Sequence, residues 1–203
     1  MIRFLYGTQL ADHASLADAM FRDRAAQFRD RLGWDVQVDA LGWETDAYDR
    51  LDPLYVIAVD GQGGHAGSMR LMPTTGPHML ADHFADLVAG PAPRGPALWE
   101  VTRFCLAPDA AAGTAPLLAL GLSTAALALE VDWIIGLFEA PMLRVYRRLG
   151  WRPQVIGRGA VGMVGTWDVS ARVQDRLTAA CGLDAAVPLA WATRDLELQR
   201  AIG

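Results

Sequence analysis

Apolar and polar residues recur along the chain with periods that change from segment to segment. In residues 15–31, Leu16, Ala19, Met20, Ala26 and Phe28 can share the inner side of a helix, with Asp18, Arg22, Arg29 and Asp30 outside and Gly33 ending it. Residues 34–53 are polar and acidic without a period, a long irregular segment of the kind that often carries function or moves. Two apolar runs, 54–59 and 66–72, flank Asp60-Gly61-Gln62-Gly63-Gly64 and read as a hairpin stopped by Pro73. Residues 78–89 can form a short helix with Met79, Leu80, Phe84 and Leu87 inward, and 90–96 is a Gly/Pro loop. Residues 97–108 read as a buried strand, and 116–130 as a helix with no charge before Glu130, buried on most sides. A strand at 131–138, a helix at 140–149 closed by Gly150 and strands at 152–156 and 162–169 follow. Ser170 caps a helix to about 180, and 183–203 is ambiguous. The order predicts one α/β domain over 1–203, a mixed central sheet between helices.

The strand at 97–108 holds an anomaly. Within it, Trp99-Glu100-Val101-Thr102-Arg103 carries two opposite charges, and an unpaired buried charge costs several kcal/mol. Candidate partners upstream are Arg24, Asp46, Asp49 and Arg70, so the pattern suggests a pocket of fixed charges and a charged ligand. In a regular strand Glu100 and Arg103 face opposite sides, because their separation is odd. Both reach one pocket only if the strand bulges near 101–103, which would also splay it from its neighbour.

Composition narrows the chemistry. The 203 residues are 52% hydrophobic, enough for a sizeable core, and no uninterrupted apolar run is long enough to span a membrane. The N-terminus lacks a signal-peptide apolar region, so the expected compartment is the cytoplasm. All 18 basic residues are Arg, which excludes Schiff-base and lysine general-base mechanisms and leaves anion holding and carboxylate pairing. A net charge of −5 argues against nucleic acid as the main partner. Cys105 and Cys181 are too few and too far apart for a metal site and read as reduced, buried thiols. His13, His65, His78 and His83 show no ligand or triad pattern, and Ser15, Ser68, Ser123 and Ser170 lack a nucleophile-elbow context, so no metal is expected.

Arg24, Phe28, Arg31-Leu32-Gly33-Trp34, Glu44, Asp46, Asp49, Arg70-Leu71-Met72-Pro73, Met79-Leu80, Phe84, Glu100 and Arg103-Phe104 together resemble the LuxI-type autoinducer synthases, the acyl-homoserine lactone synthases. Arg147-Arg148-Leu149-Gly150-Trp151 extends the likeness more loosely, and it covers residues 1 to about 170. The resemblance implies a GNAT-like acyltransferase fold. It also implies a reaction: the amine of S-adenosylmethionine attacks an acyl thioester on acyl carrier protein, the methionine carboxylate closes the lactone, and methylthioadenosine leaves. S-adenosylmethionine is then a consumed substrate, and no cofactor is implied.

That chemistry assigns roles. Arg24 and Arg103 are candidates for the substrate carboxylate, since a guanidinium fork holds one bidentately. Glu100 is the candidate general base, through a water. Asp46 and Asp49 could attract the ammonium and sulfonium, or Asp46 could pair with Arg70 to shape the pocket. A backbone N–H near Phe104 is the candidate oxyanion donor. Phe28 and Trp34 are candidates for the S-adenosylmethionine site, with plain core packing the alternative for Phe28 and also for Phe84. Phe84, Trp99, Thr102, Phe104, Leu122, Gly136 and Met142 are candidates for the acyl site, with Leu118 and Leu143 as further wall residues. Gly136 stands where synthases preferring 3-oxo chains tend to carry Thr, which points to an unsubstituted or bulkier chain. Arg144, Arg147, Arg148 and Arg152 form a basic cluster that is either a solvated helix face or a dock for acyl carrier protein. Acyl-CoA is the alternative donor, and a GNAT N-acetyltransferase using acetyl-CoA the alternative enzyme. The segment 108–116, with one glycine and no Arg, is a poor pyrophosphate cradle.

Overall fold

A computed structural model describes residues 1–197, with Glu197 described by its backbone alone. Seven strands form one mixed sheet in the order β1 (Ile2–Tyr6), β2 (Leu54–Val59), β3 (His65–Pro73), β4 (Leu98–Leu106), β5 (Trp133–Phe138), β7 (Gly162–Asp168), β6 (Gln154–Gly159). All neighbours pair antiparallel except β4 and β5, which are parallel. Helix α3 (Thr114–Ala128) makes that crossover, as parallel neighbours require.

Helices α1 (Ala14–Ala25) and α2 (Met79–His83) lie on one face of the sheet. On the other lie α3, α4 (Met142–Leu149), α5 (Ala171–Ala180) and α6 (Ala186–Ala192). Alternation sorts the strands. Leu5, Tyr55, Ile57 and Val59 pack against α1, while Ile2, Phe4, Leu54, Val56, Met69 and Leu71 pack against α3. Helix α3 sits close on the sheet because Gly121 has no side chain; a Cβ there would stand 2.8 Å from Val56 Cγ1.

Four expectations need correction. The strand β1 was not read from the pattern: adjacent Phe4 and Leu5 face opposite cores, so both faces are buried and the polar alternation is lost. The inner face of α1 is Ala17, Met20, Phe21, Arg24 and Ala25 rather than Leu16 and Ala19. The i, i+3, i+4, i+7, i+8 stripe is complete only when the charged Arg24 counts as inward. The helix expected at 78–89 is two short pieces, α2 and a 3₁₀ turn, Ala85–Leu87. The ambiguous tail forms α6 and a π-turn, Thr193–Glu197, and the side chain of Asp195 accepts the Phe4 amide at 2.9 Å on the outer edge of β1. Residues 198–203 of that tail lie outside the described residues.

A candidate active site where the sheet splits

Strand β4 is bulged. Ser68 pairs with Cys105 and Arg70 with Thr102, so Met69 alone faces both Arg103 and Phe104. Arg103 adopts φ 54°, a left-handed conformation that costs a non-glycine residue roughly 1–2 kcal/mol. The bulge resolves the parity problem: Glu100, Thr102 and Arg103 all reach the α1 and α2 side, while Phe104 turns to the α3 side. Pairing of β4 with β5 stops at Glu100 and Ile135, and the strands part beyond it.

On the α1 side lies a buried network of three guanidiniums and three carboxylates. Arg24 Nε and Nη2 both stand 2.6 Å from Glu44 Oε2, and Arg24 holds Asp49 bidentately at 2.9 and 3.0 Å. Arg70 holds Asp46 at 2.5 and 2.9 Å and Asp49 at 2.8 Å, and donates to Thr102 Oγ1 at 3.0 Å. Arg103 meets Glu44 and Asp46, each at 2.9 Å. The formal charges cancel, which is what makes burial of six ions tolerable. Local chain geometry sets the carboxylates. Asp46 caps the 3₁₀ turn Ala47–Arg50 by accepting from the Tyr48 and Asp49 amides, while Asp49 accepts from the Asp46 amide. Tyr55 donates to Asp49 at 2.6 Å. Burial alone would raise Asp49, but Arg24 and Arg70 outweigh it and hold its carboxyl well below the usual range.

The network has a closed and an open side. The Arg24, Arg70 and Glu44 side chains are at most 1% exposed, whereas Asp46 is 19% and Arg103 9% exposed. Every nitrogen of the Arg24 and Arg70 guanidiniums meets an oxygen; among the described residues Arg103 Nη1 meets only Met79 Sδ, at 3.6 Å. Among the described residues Arg24 thus has an oxygen partner on every guanidinium nitrogen, whereas Arg103 keeps Nη1 without one.

Glu100 stands apart from these six. Its oxygens accept from the Met79 and Leu80 amides at 2.8 and 2.7 Å, anchoring the first turn of α2. Burial raises its pKa and the two amides oppose the rise. Counted from sequence, Asp46, Asp49 and Glu100 balance the three arginines. Glu44 takes the third place instead. Glu44 is among the residues that carry the resemblance but not among the candidate partners of Glu100 and Arg103, and its one local signal is an acid inside the irregular segment.

On the other side of β4 a cavity of about 680 Å³ fills the split between β4 and β5. Val101 to Phe104 form one wall and Gly136 to Glu139 the other, with Ala119 and Leu122 of α3 and Met142, Tyr146 and Leu149 of α4 adding to it. Phe28 and Trp34, stacked at 5.1 Å, stand at the same cavity with Arg103 over the Phe28 ring. A Cβ on Gly136 would lie 3.0 Å from Val101 Cγ1, so glycine keeps the narrow end of the split open.

Of the acyl candidates, Thr102, Phe104, Leu122, Gly136 and Met142 line this cavity. Phe84 and Trp99 do not. Phe84 packs with Leu80, Ile135 and Val164 under α2, and Trp99 packs at the paired end of β4, below the split. Leu118 and Leu143 belong to the main core. Arg144, Arg147, Arg148 and Arg152 are exposed, the first three on the face of α4 away from the cavity. One histidine differs from its reading. His65 lies between Asp23 and Ser68 at 2.6 and 3.0 Å, a buried hydrogen-bonded row that lines no cavity described here. His78 is fully buried, with Nε2 unpartnered among the described residues.

Three comparisons bear on this geometry. The family model for autoinducer synthases matches residues 8–164. An acyl-homoserine-lactone synthase of Rhizobium etli is 42% identical over 182 residues, covering 84% of this chain and 85% of that protein. One of Ralstonia solanacearum is 36% identical over 161 residues, covering 74% and 78%. The solved structure of MesI, a CoA-dependent acyl-homoserine lactone synthase, superposes with a TM-score of 0.80 at 26% identity, over 92% of this chain and 98% of that one. An N-acetyltransferase from Lactobacillus plantarum matches with a TM-score of 0.54 at 14% identity, over 83% and 99%, and shares the fold alone.

Proposed function

The chain belongs to the autoinducer synthase family and is an acyl-homoserine-lactone synthase, an acyltransferase of the GNAT fold; from that premise we propose how its own residues carry the reaction. S-adenosylmethionine binds along the open side of the charge network and the acyl chain enters the split between β4 and β5. The observation that carries this is their meeting at Arg103, which belongs to the network and lines the cavity.

Arg103 Nη1 takes the methionine carboxylate, while Asp46 attracts the ammonium and sulfonium. Arg24, Arg70, Glu44 and Asp49 touch no substrate and hold Arg103 and Asp46 in position. Phe28 and Trp34 cover the S-adenosylmethionine. Glu100 accepts the amine proton through a water, and burial strengthens it as a base. The amine nitrogen then bonds to the acyl carbon as the thioester C–S bond breaks, and the thiol leaves with a proton. The β4 edge beyond Glu100 has no β5 partner among the described residues, so its amides, Phe104 first, face the developing oxyanion. The methionine carboxylate oxygen next bonds to its own γ-carbon as the sulfonium C–S bond breaks, releasing methylthioadenosine. S-adenosylmethionine is consumed and no resident cofactor is needed.

We assign the donor to acyl carrier protein. Helix α4 lines the cavity with Met142, Tyr146 and Leu149 and turns Arg144, Arg147 and Arg148 outward, so an acidic carrier docked there stands beside the acyl site. The loop before α3 offers Asp109 and no cation to a CoA pyrophosphate. We assign the compartment to the cytoplasm: Cys105 and Cys181 are free, and no described helix is long and apolar enough to cross a membrane. Incubation of pure protein with S-adenosylmethionine and acyl carrier protein thioesters tests the reading by mass spectrometry. Acyl-homoserine lactone and methylthioadenosine in equal amounts are expected; thiol release without methylthioadenosine marks a plain acetyltransferase instead.

A further inference from the structure

The cavity is walled mainly by apolar side chains, and its polar groups are nearly all spoken for. Thr102 Oγ1 accepts from Arg70, Arg103 is held by Glu44 and Asp46 with its Nη1 assigned to the methionine carboxylate, and Trp151 Nε1 donates to the Asp168 carbonyl at 2.8 Å. Gln27 accepts from Arg31, and Trp34 and Glu139, both exposed, stand on the solvent side. Tyr146 differs. Its ring packs edge-on against Phe138 and Trp167, with centroids 5.3 and 5.0 Å away, and its hydroxyl has no hydrogen-bond partner among the described residues. The Trp167 indole N–H has none either, but that ring turns Cζ3 toward Gly136, 3.7 Å from where a Cβ would stand, which puts the N–H on its far edge.

We propose that the Tyr146 hydroxyl is a specificity handle that recognises an oxygen substituent, hydroxyl or keto, on the acyl chain lying in this cavity. The inference rests on the synthase reading and adds the chemical class of the donor. Two rings fix the phenol in orientation, and burial pushes its pKa up to about 12, so it stays neutral and can both donate and accept. A plain methylene chain filling the cavity strips water from the phenol and gives nothing back; a chain oxygen within reach replaces the lost bond. Gly136 taken alone points to an unsubstituted or bulkier chain, because β5 supplies no hydroxyl. The handle comes instead from α4, so the substituted carbon is the one that passes Tyr146.

The test compares kcat/KM for donors of one chain length: unsubstituted, and with a hydroxyl or keto group moved one carbon at a time from the third carbon to the chain end. One position is expected to be favoured over the unsubstituted chain by about tenfold. Tyr146→Phe, which removes only the oxygen, is expected to bring that ratio to within about twofold. A wild-type ratio near one at every position overturns the proposal, as does a preference that survives in Tyr146→Phe. If that variant does not fold, the wild-type scan alone decides. Lactone and methylthioadenosine formed from the unsubstituted donor report the synthase reading separately, so a flat scan with turnover sinks the handle alone.

Discussion

Glu44 is the residue on which the buried charges turn, since it bridges Arg24 and Arg103 and is wholly buried. Glu44→Gln keeps the volume and removes the charge, leaving two guanidiniums undercompensated; a loss of about 3–5 kcal/mol is expected, read from the urea midpoint. Acid should act on the same network. Asp49 and Asp195 are held below their ordinary values, so each stabilises the fold above an unfolded pKa of about 3.9 and stops doing so as pH falls through its depressed value. Glu100 has the opposite sign: its raised pKa favours the fold below about 4.3, and that contribution fades as pH rises through the raised value. Urea titrations should therefore show stability falling below about pH 4, and less steeply in Asp49→Asn. At this scale the sequence exposed which charges needed partners but not which pairs form. Arg24 could be read as a substrate ligand because nothing in its neighbours reveals that Glu44 and Asp49, 20 and 25 residues away, fold back onto it.

Elements were more legible than pairings. The bulge in β4 followed from the odd spacing of two charges that both needed the interior, and it carries the left-handed Arg103. The missed β1 and the misphased α1 share one cause. Each buries residues that a one-sided apolar stripe does not allow: both faces of β1, and a guanidinium inside the stripe of α1. A second strained position lies away from the site. Glu130 follows the last turn of α3 with φ 58°, where the Val131 amide bonds back to the Ala126 carbonyl. This is a helix-ending position that glycine fits. Glu130→Gly is expected to stabilise the protein by roughly 0.5–1 kcal/mol, a rise of about 1–4 °C in Tm, with lactone formation unchanged.

In the whole molecule the sheet joins two chemistries that its topology keeps apart. The ionic network belongs to the antiparallel β1–β4 half with α1, and the acyl cavity to the seam where β4 leaves β5. The odd spacing of Glu100 and Arg103 made that seam legible, but its depth depends on Gly136 and on ring packing that no local pattern encodes. The proposed docking face of α4 belongs to this scale too. Reversing Arg144, Arg147 and Arg148 to Glu is expected to raise KM for a carrier-protein thioester by about tenfold or more at low salt, less at high salt, and to leave KM for S-adenosylmethionine unchanged. Equal KM values for the two proteins would remove α4 as the dock. The central claim is that Arg103 joins the two chemistries. A crystal structure with S-adenosylmethionine and a non-transferable thioether analogue of the acyl donor tests it most directly. The account predicts the methionine carboxylate on Arg103 Nη1 and the acyl chain between β4 and β5, past Glu100 and Ile135; a carboxylate bound elsewhere, or a chain outside that split, would contradict it.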